Sequence, residues 1–229
     1  SKTMEESLSP AAEVEGEAGA AEKTEAPVHV VQTAADDVSQ EVAPPIPPDQ
    51  HPLTFGYGFW FMRRTPGSRS QDNYEKNIRK IGTFFTAEQF WSYYNHLVRP
   101  NDLPVPSDYH LFKFRIKPMW EDDANKLGGK WIVRLRKGLA SRYWEELILG
   151  IVGGQFDLDG VCGAVVSIRY QEDIISVWNS DGRDRVRTLQ LRDSIKRVLS
   201  LPPQSILEYK AHNAAMKDNS SFRNTDVFR

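Results

Sequence analysis

The stretch 116–131, IKPMWEDDANKLGGKW, sets Trp120 directly before three carboxylates, Glu121, Asp122 and Asp123. Ionised acids require water or a partner, so this indole cannot be packed on both sides like ordinary core. An exposed indole face attracts cations and electron-poor rings, an interaction worth roughly 0.5–2 kcal/mol depending on desolvation. A carboxylate beside it can accept from a ring N–H and an exocyclic amine, the donor edge that guanine presents. Downstream, KWIVRLRK (130–137) alternates: Trp131, Val133 and Leu135 face one way, and Lys130, Ile132, Arg134 and Arg136 face the other. One strand face is therefore packed and the other largely cationic and suited to phosphates. Together these residues make a site for an anionic ligand with a stackable base.

Other chemistries find little support. The five histidines, at 29, 51, 96, 110 and 212, are scattered. The single cysteine, Cys162, lies in an apolar strand and reads as core rather than nucleophile. It rules out an intramolecular disulfide, which fits a reducing compartment. Gly128-Gly129-Lys130 lacks the spacing and the Ser/Thr of a phosphate-binding P-loop, and no Cys/His spacing suits zinc. Contiguous loop acids such as 121–123 are more often solvated or capping than metal ligands. The expectation is a binding protein with no catalytic residues, no metal and no cofactor.

The elements that must position these residues occupy about three quarters of the chain. Residues 1–50 lack aromatics, are rich in Ala, Glu, Ser and Pro, and hold 2 basic and 11 acidic residues, a net of −9. Such a segment cannot bury enough apolar surface to offset its entropy, so it is expected to be disordered, ending in a stiff APPIPPDQ linker (43–50). With 29 basic and 31 acidic residues in all, residues 51–229 keep 27 and 20, a net of +7 that favours an anionic ligand. No signal-peptide pattern is present, the Asn219 sequon carries no expectation of glycosylation, and no apolar run approaches the roughly 20 residues of a membrane span.

From His51 onward, strands and helices alternate. Strands are predicted at 55–62, 77–85, 109–114, 130–137, 161–170, 173–179 and 205–210. Helices are predicted after the cap residue Thr86, at 142–152 and at 187–201, the second closed by Gly153-Gly154. The C-terminal residues read as a mobile edge. These elements predict an α+β domain over 51–229, with one antiparallel sheet, three helices on one face and an open, ligand-binding opposite face.

Several long motifs, in order, resemble the mRNA cap-binding translation initiation factor 4E family: HPL (51–53), FWSYYNHL (90–97), the 116–131 stretch, CGAVVSIR (162–169) and LPP (201–203). The resemblance covers the whole folded part. RRTPG (63–67), RLRKGLASR (134–142) and QEDIISVWN (171–179) resemble the divergent second class, that of the 4E-homologous protein and the plant novel cap-binding protein. The resemblance implies a curved sheet with helices on its convex face and a concave cap site. There Trp120 and Tyr74 would sandwich 7-methylguanine, Glu121 would read its N–H and amine, and Trp178 would line the methyl group. Arg169 would hold phosphates, assisted by Lys130 and Arg134, because the family's lysine five positions later is Ile174 here. Tyr74 stands where the major factor has a tryptophan, so weaker stacking is expected, and Tyr74→Trp should tighten binding.

The resemblance also implies a dorsal docking patch of His51, Pro52, Leu53, Trp91, Glu145 and Glu146 for 4E-binding proteins carrying a short Tyr/Leu helical motif. Spacing alone would make Trp91 core. Glu145 replaces an apolar leucine of the major factor, which disfavours tight scaffold binding. The expected partners are thus capped mRNA, through its 7-methylguanosine triphosphate, and 4E-binding proteins. The expected protein is a monomer without membrane association, in the cytoplasm and also able to enter the nucleus. Three readings follow: a cap-binding competitor that recruits repressors, an active initiation factor that recruits the scaffold, and an interaction module with residual cap binding.

Overall fold

Aromatic and β-branched runs with period-two alternation form the strands of the computed structural model, which describes residues 40–64, 77–156 and 158–228. In chain order the elements are β1 (Pro52–Arg63), β2 (Ile78–Thr86), α1 (Ala87–Tyr94), β3 (Ser107–Lys113), β4 (Gly129–Leu135) and α2 (Ala140–Val152). They continue with β5 (Val161–Ile168), β6 (Asp173–Asn179), α3 (Arg185–Val198), β7 (Leu207–Ala211), α4 (His212–Asp218) and β8 (Asp226–Phe228). The strands form one curved antiparallel sheet in the order β2-β1-β3-β5-β6-β4-β7-β8.

Alternation divides each strand between two faces. Tyr57, Phe59, Leu111, Trp131, Val133, Ala164, Val166, Ile175 and Val177 build the main core. Phe90 and Tyr94 of α1, Trp144, Leu147 and Ile148 of α2, and Leu191 and Ile195 of α3 cover that face. The buried Trp131 indole donates to the Thr188 carbonyl at 2.9 Å, tying α3 to the sheet. Thr86 caps α1 as its sequence predicts: its hydroxyl accepts from the Gln89 N–H at 3.2 Å, while the Gln89 side chain accepts from Phe85 N–H. Gly154 takes φ 71° after α2, the left-handed conformation glycine adopts without strain.

The opposite parity sends Asp108, His110 and Phe112 of β3, Lys130 of β4, Val165 and Ser167 of β5, and Ser176 and Trp178 of β6 to the other face. This face is less open than expected. The polar C-terminal residues, expected to be mobile, form α4 and β8 instead, so the described residues hold four α-helices rather than three. Buried Lys210 organises this end: its Nζ donates to Asp218 at 2.5 Å and to the Arg223 carbonyl at 2.6 Å. α4 lies on the ligand side of the sheet, with its His212 ring 4.2 Å from that of Trp178. Contacts also begin before residue 51. Lys80 donates to both Glu41 oxygens at 2.5 and 2.6 Å, and Thr86 donates to Gln50 at 2.8 Å. The rest of the expected disordered tail, residues 1–39, lies outside the described residues.

Candidate functional site

A cleft of about 560 Å³ opens on the face opposite α1, α2 and α3, between the 114–128 loop and the C-terminal segment 218–223. Trp120 and Glu121 lie on its wall, Glu121 exposed and Trp120 half-buried against a small apolar cluster containing Phe112, Cys162 and Trp178. The loop is braced from within. Asp122 accepts from the Lys117 and Ala124 amides, both at 2.9 Å, and Asn125 donates to the Lys117 and Met119 carbonyls, both at 2.8 Å. Asp123 is solvated and paired with Lys126 at 2.7 Å. The three acids thus divide their roles: Asp122 shapes the loop, Asp123 faces water and Glu121 faces the cleft.

Gly128 and Gly129 return the chain to β4, and their need for glycine is close approach rather than φ. A Cβ on Gly128 would stand 1.7 Å from the Asn179 carbonyl oxygen, and one on Gly129 2.4 Å from the Tyr209 hydroxyl.

The cleft floor is ionic. Asp108, 1% exposed, accepts from Arg169 at 2.6 Å on one oxygen and from Arg64 at 2.9 Å on the other. Arg169 is fixed further by donation to the Ser107 and Ile168 carbonyls at 3.1 and 2.9 Å. Burial pushes the Asp108 carboxyl up, but the two guanidiniums outweigh burial and hold it below the usual carboxylate range. Lys130, 3% exposed, lies with Nζ 4.2 Å from the Phe222 ring centroid and 5.8 Å from that of Trp178. Burial, reinforced by Arg64, lowers its pKa to about 7. Neighbouring His110 is held down to about 4, chiefly by burial. Trp178 is buried and also lines the cleft, packed edge-on to Phe112 at 5.2 Å. The Cys162 thiol is buried and pushed up to about 12 by that burial, as befits core.

The cleft therefore gathers Trp120, Glu121, Lys130, Arg169 and Trp178 of the predicted ligand residues. Tyr74 lies outside the described residues. Arg134 is a correction: it is not on the cleft wall. Its guanidinium donates to Glu208 at 2.7 Å, to Glu172 at 2.5 Å and to the Phe222 carbonyl at 3.2 Å. Three acceptors from separate segments hold it as a brace for the C-terminal roof.

On the helical side, Trp91 is 43% exposed despite its helical neighbours, as the family resemblance implies and spacing does not. His51 and Pro52 are exposed, and Leu53 packs partly against the core. The His51 ring bonds Glu88 at 2.6 Å, and its amide donates to the other Glu88 oxygen at 2.9 Å. Glu145 accepts from the Tyr94 hydroxyl at 2.7 Å and from Arg99, while Glu146 pairs with Arg142 at 2.9 Å.

The cleft residues that the sequence does not single out include Arg64, Asp108 and Phe222. Arg64 falls in a polar loop pattern, Asp108 at the end of a helix-breaking run, and Phe222 in a tail that looks unstructured. The available signals were the adjacent cationic pair Arg63-Arg64 and a lone aromatic in a polar C-terminus.

Residues 52–227 match the sequence pattern of the family described as eukaryotic initiation factor 4E. The chain is 54% identical over 176 residues to the eukaryotic translation initiation factor NCBP of Oryza sativa subsp. japonica, covering 76% of this chain and 77% of that protein. It is 44% identical over 182 residues to the eukaryotic translation initiation factor 4E-4 of Caenorhabditis elegans, covering 79% and 86%. Its fold is similar to that of C. elegans eIF4E-3 solved in complex with the 4E-binding protein Mextli and a cap analog. That match has a TM-score of 0.68 and 36% identity and covers 76% of this chain and 98% of that one.

Proposed function

The chain belongs to the eukaryotic initiation factor 4E family, and we propose that its cleft binds the 7-methylguanosine 5′ cap of mRNA and thereby regulates translation initiation. One observation carries this reading: an indole and a carboxylate, Trp120 and Glu121, share the wall of a cleft whose floor holds Arg64, Arg169 and Lys130. Trp120 stacks on the methylated base, whose positive charge strengthens attraction to the ring face. Tyr74 supplies the second face of the sandwich. Glu121 accepts from the guanine N–H and amine, and the cations neutralise the triphosphate. Trp178 lines the methyl side.

The dorsal patch of His51, Pro52, Leu53, Trp91, Glu145 and Glu146 docks 4E-binding proteins through a short helix carrying a Tyr and a Leu. Its polar cluster, Glu145 with Tyr94 and Arg99, supports the role of cap-binding competitor that recruits repressors, because a charge there weakens an apolar groove. The second reading is an active initiation factor that recruits the scaffold; the naming of the rice and nematode relatives as translation initiation factors favours it. In either role the protein is a cytoplasmic monomer with access to the nucleus, its acidic tail at 1–50 preceding a cap-binding domain at 51–229.

Tryptophan fluorescence titration tests the cap site. 7-Methyl-GTP should quench emission and bind more tightly than GTP, and Trp120→Leu should lose most of the signal and the affinity. Equal affinity for GTP and 7-methyl-GTP would refute the reading. Capture from lysate on cap resin then separates the two roles: scaffold-type partners favour initiation, and repressor or decay partners favour competition.

A further inference from the structure

Asp108 is a fully buried carboxylate at the floor of the ligand cleft, and it is shared between two guanidiniums rather than matched with one. The three residues come from different strands. Arg64 directly follows the last residue of β1, Asp108 begins the cleft-facing series of β3, and Arg169 directly follows β5. Strand register brings them together: Met62 pairs with Asp108, and Asp108 pairs with Ser167. Two cations on one anion leave a net charge of +1 beside a cavity, and both arginines line that cavity.

We propose that Arg64 is a phosphate-binding residue, acting with Arg169 as a paired-guanidinium clamp on a polyphosphate, and that Asp108 is the positioning residue that holds the two forks. The assignment to the cap triphosphate rests on the cap reading above; the phosphate chemistry rests on the arginines themselves. Arginine suits the role because its planar fork matches phosphate oxygens two at a time, and anchoring one edge on Asp108 removes rotamer freedom before ligand arrives. The Arg64 side chain is anchored through Nε at 2.9 Å yet remains 42% exposed, so it is fixed in direction without leaving water. Arg169 is more enclosed, at 20%, and is held through Nη1 and Nη2. The Arg64 amide also donates to the Pro106 carbonyl at 3.1 Å, which fixes the backbone from which the clamp extends.

The test titrates the full chain with 7-methylguanosine, 7-methyl-GTP and a short capped RNA, and adds inorganic tripolyphosphate as a competitor. Arg64→Gln should weaken 7-methyl-GTP about five- to tenfold at low salt, flatten its salt dependence and leave the nucleoside unchanged. Arg64→Lys keeps the charge without the fork, protects the fold against loss of the Asp108 partner, and should lose about two- to threefold. Arg183→Gln, the same change of charge at a site outside the cleft, should leave all three ligands unaffected.

The clamp is overturned if Arg64→Gln leaves 7-methyl-GTP binding unchanged or weakens the nucleoside equally. It is also overturned if only the capped RNA is affected, which would move Arg64 to the RNA body, or if the wild type binds triphosphate no better than nucleoside. If the wild type ignores base methylation while Arg64→Gln still weakens competition by tripolyphosphate, the clamp stands and the cap reading fails.

Discussion

Asp108→Asn is the substitution that most directly tests how the site is held together. It preserves shape, removes one buried charge and leaves Arg64 and Arg169 facing each other across the cleft floor. Breaking a buried ion pair by deleting one partner costs about 3–5 kcal/mol when the survivor stays buried. Here the survivors keep routes to water, Arg64 at 42% exposure and Arg169 at 20%, so a loss of about 2–3 kcal/mol at pH 7 is expected. The pH dependence gives a sharper signature. The carboxyl is depressed in the folded state despite its burial, because the two guanidiniums outweigh desolvation. A depressed acid stabilises the fold above its unfolded pKa of about 3.9, and that contribution drains away as pH falls through the folded value. Urea denaturation of wild type and variant at pH 7, 5 and 3.5 should therefore show a gap that is constant at the two higher values and narrower at 3.5. A gap below about 1 kcal/mol at pH 7, or one unchanged at 3.5, would refute the reasoning, since Asp108 would then be either unimportant or acting by shape alone.

Three further outcomes follow from the same geometry. Gly128→Ala should destabilise the domain by more than about 2 kcal/mol in thermal melts, because its Cβ would overlap the Asn179 backbone oxygen, which cannot step aside. His51 should titrate above its ordinary value by NMR, raised first by the hydrogen bond its ring donates to Glu88 and then by the Glu88 charge; Glu88→Gln should return it toward about 6.5. A raised histidine stabilises the fold below the unfolded pKa and loses that contribution as pH rises through the folded one, so wild type and Glu88→Gln should converge in stability as pH rises past the folded value. Lys130→Met should stabilise the fold most below about pH 7 and by less as pH approaches 10. The buried ammonium is costly only while it is charged, and the unfolded chain keeps its proton to about pH 10.4. Equal stabilisation at pH 6 and pH 9.5 would show that packing, not charge, is responsible.

What the sequence makes legible is what depends on neighbours. The faces of β1 and β4 follow from period two, the start of α1 from Thr86 and Gln89, and Trp120 with Glu121 from simple adjacency. What it hides depends on partners far along the chain. Asp108 meets Arg64 across 44 positions and Arg169 across 61, and only strand register creates that meeting. Arg134 has a strand parity like that of Lys130, yet Glu172 and Glu208, 38 and 74 positions away, pair with it and hold it off the cleft wall. The C-terminal segment looks unstructured because α4 spans only seven residues and local propensity cannot sustain it. Its order comes from Lys210, Arg134 and the β7–β8 pairing.

Lys130 shows why those hidden contacts bear on function. A lysine 3% exposed is among the least favourable residues a fold can bury. Its surroundings do little to relieve it: two aromatic rings attract the ammonium, but Arg64, Arg169 and Lys210 all oppose its charge, and Asp108 already serves two cations. A core selected only for stability would place methionine here. The C-terminal segment sets Phe222 over Lys130 and also lines the cleft, so it shares in both the burial of the ammonium and the walls of the site. A polyphosphate in the cleft would restore the ammonium and supply counter-charge to the cations of its floor. The stability given up at Lys130 thus becomes binding energy only when a multiply charged anion is present, which is the behaviour expected of a site built for its ligand rather than for the empty fold.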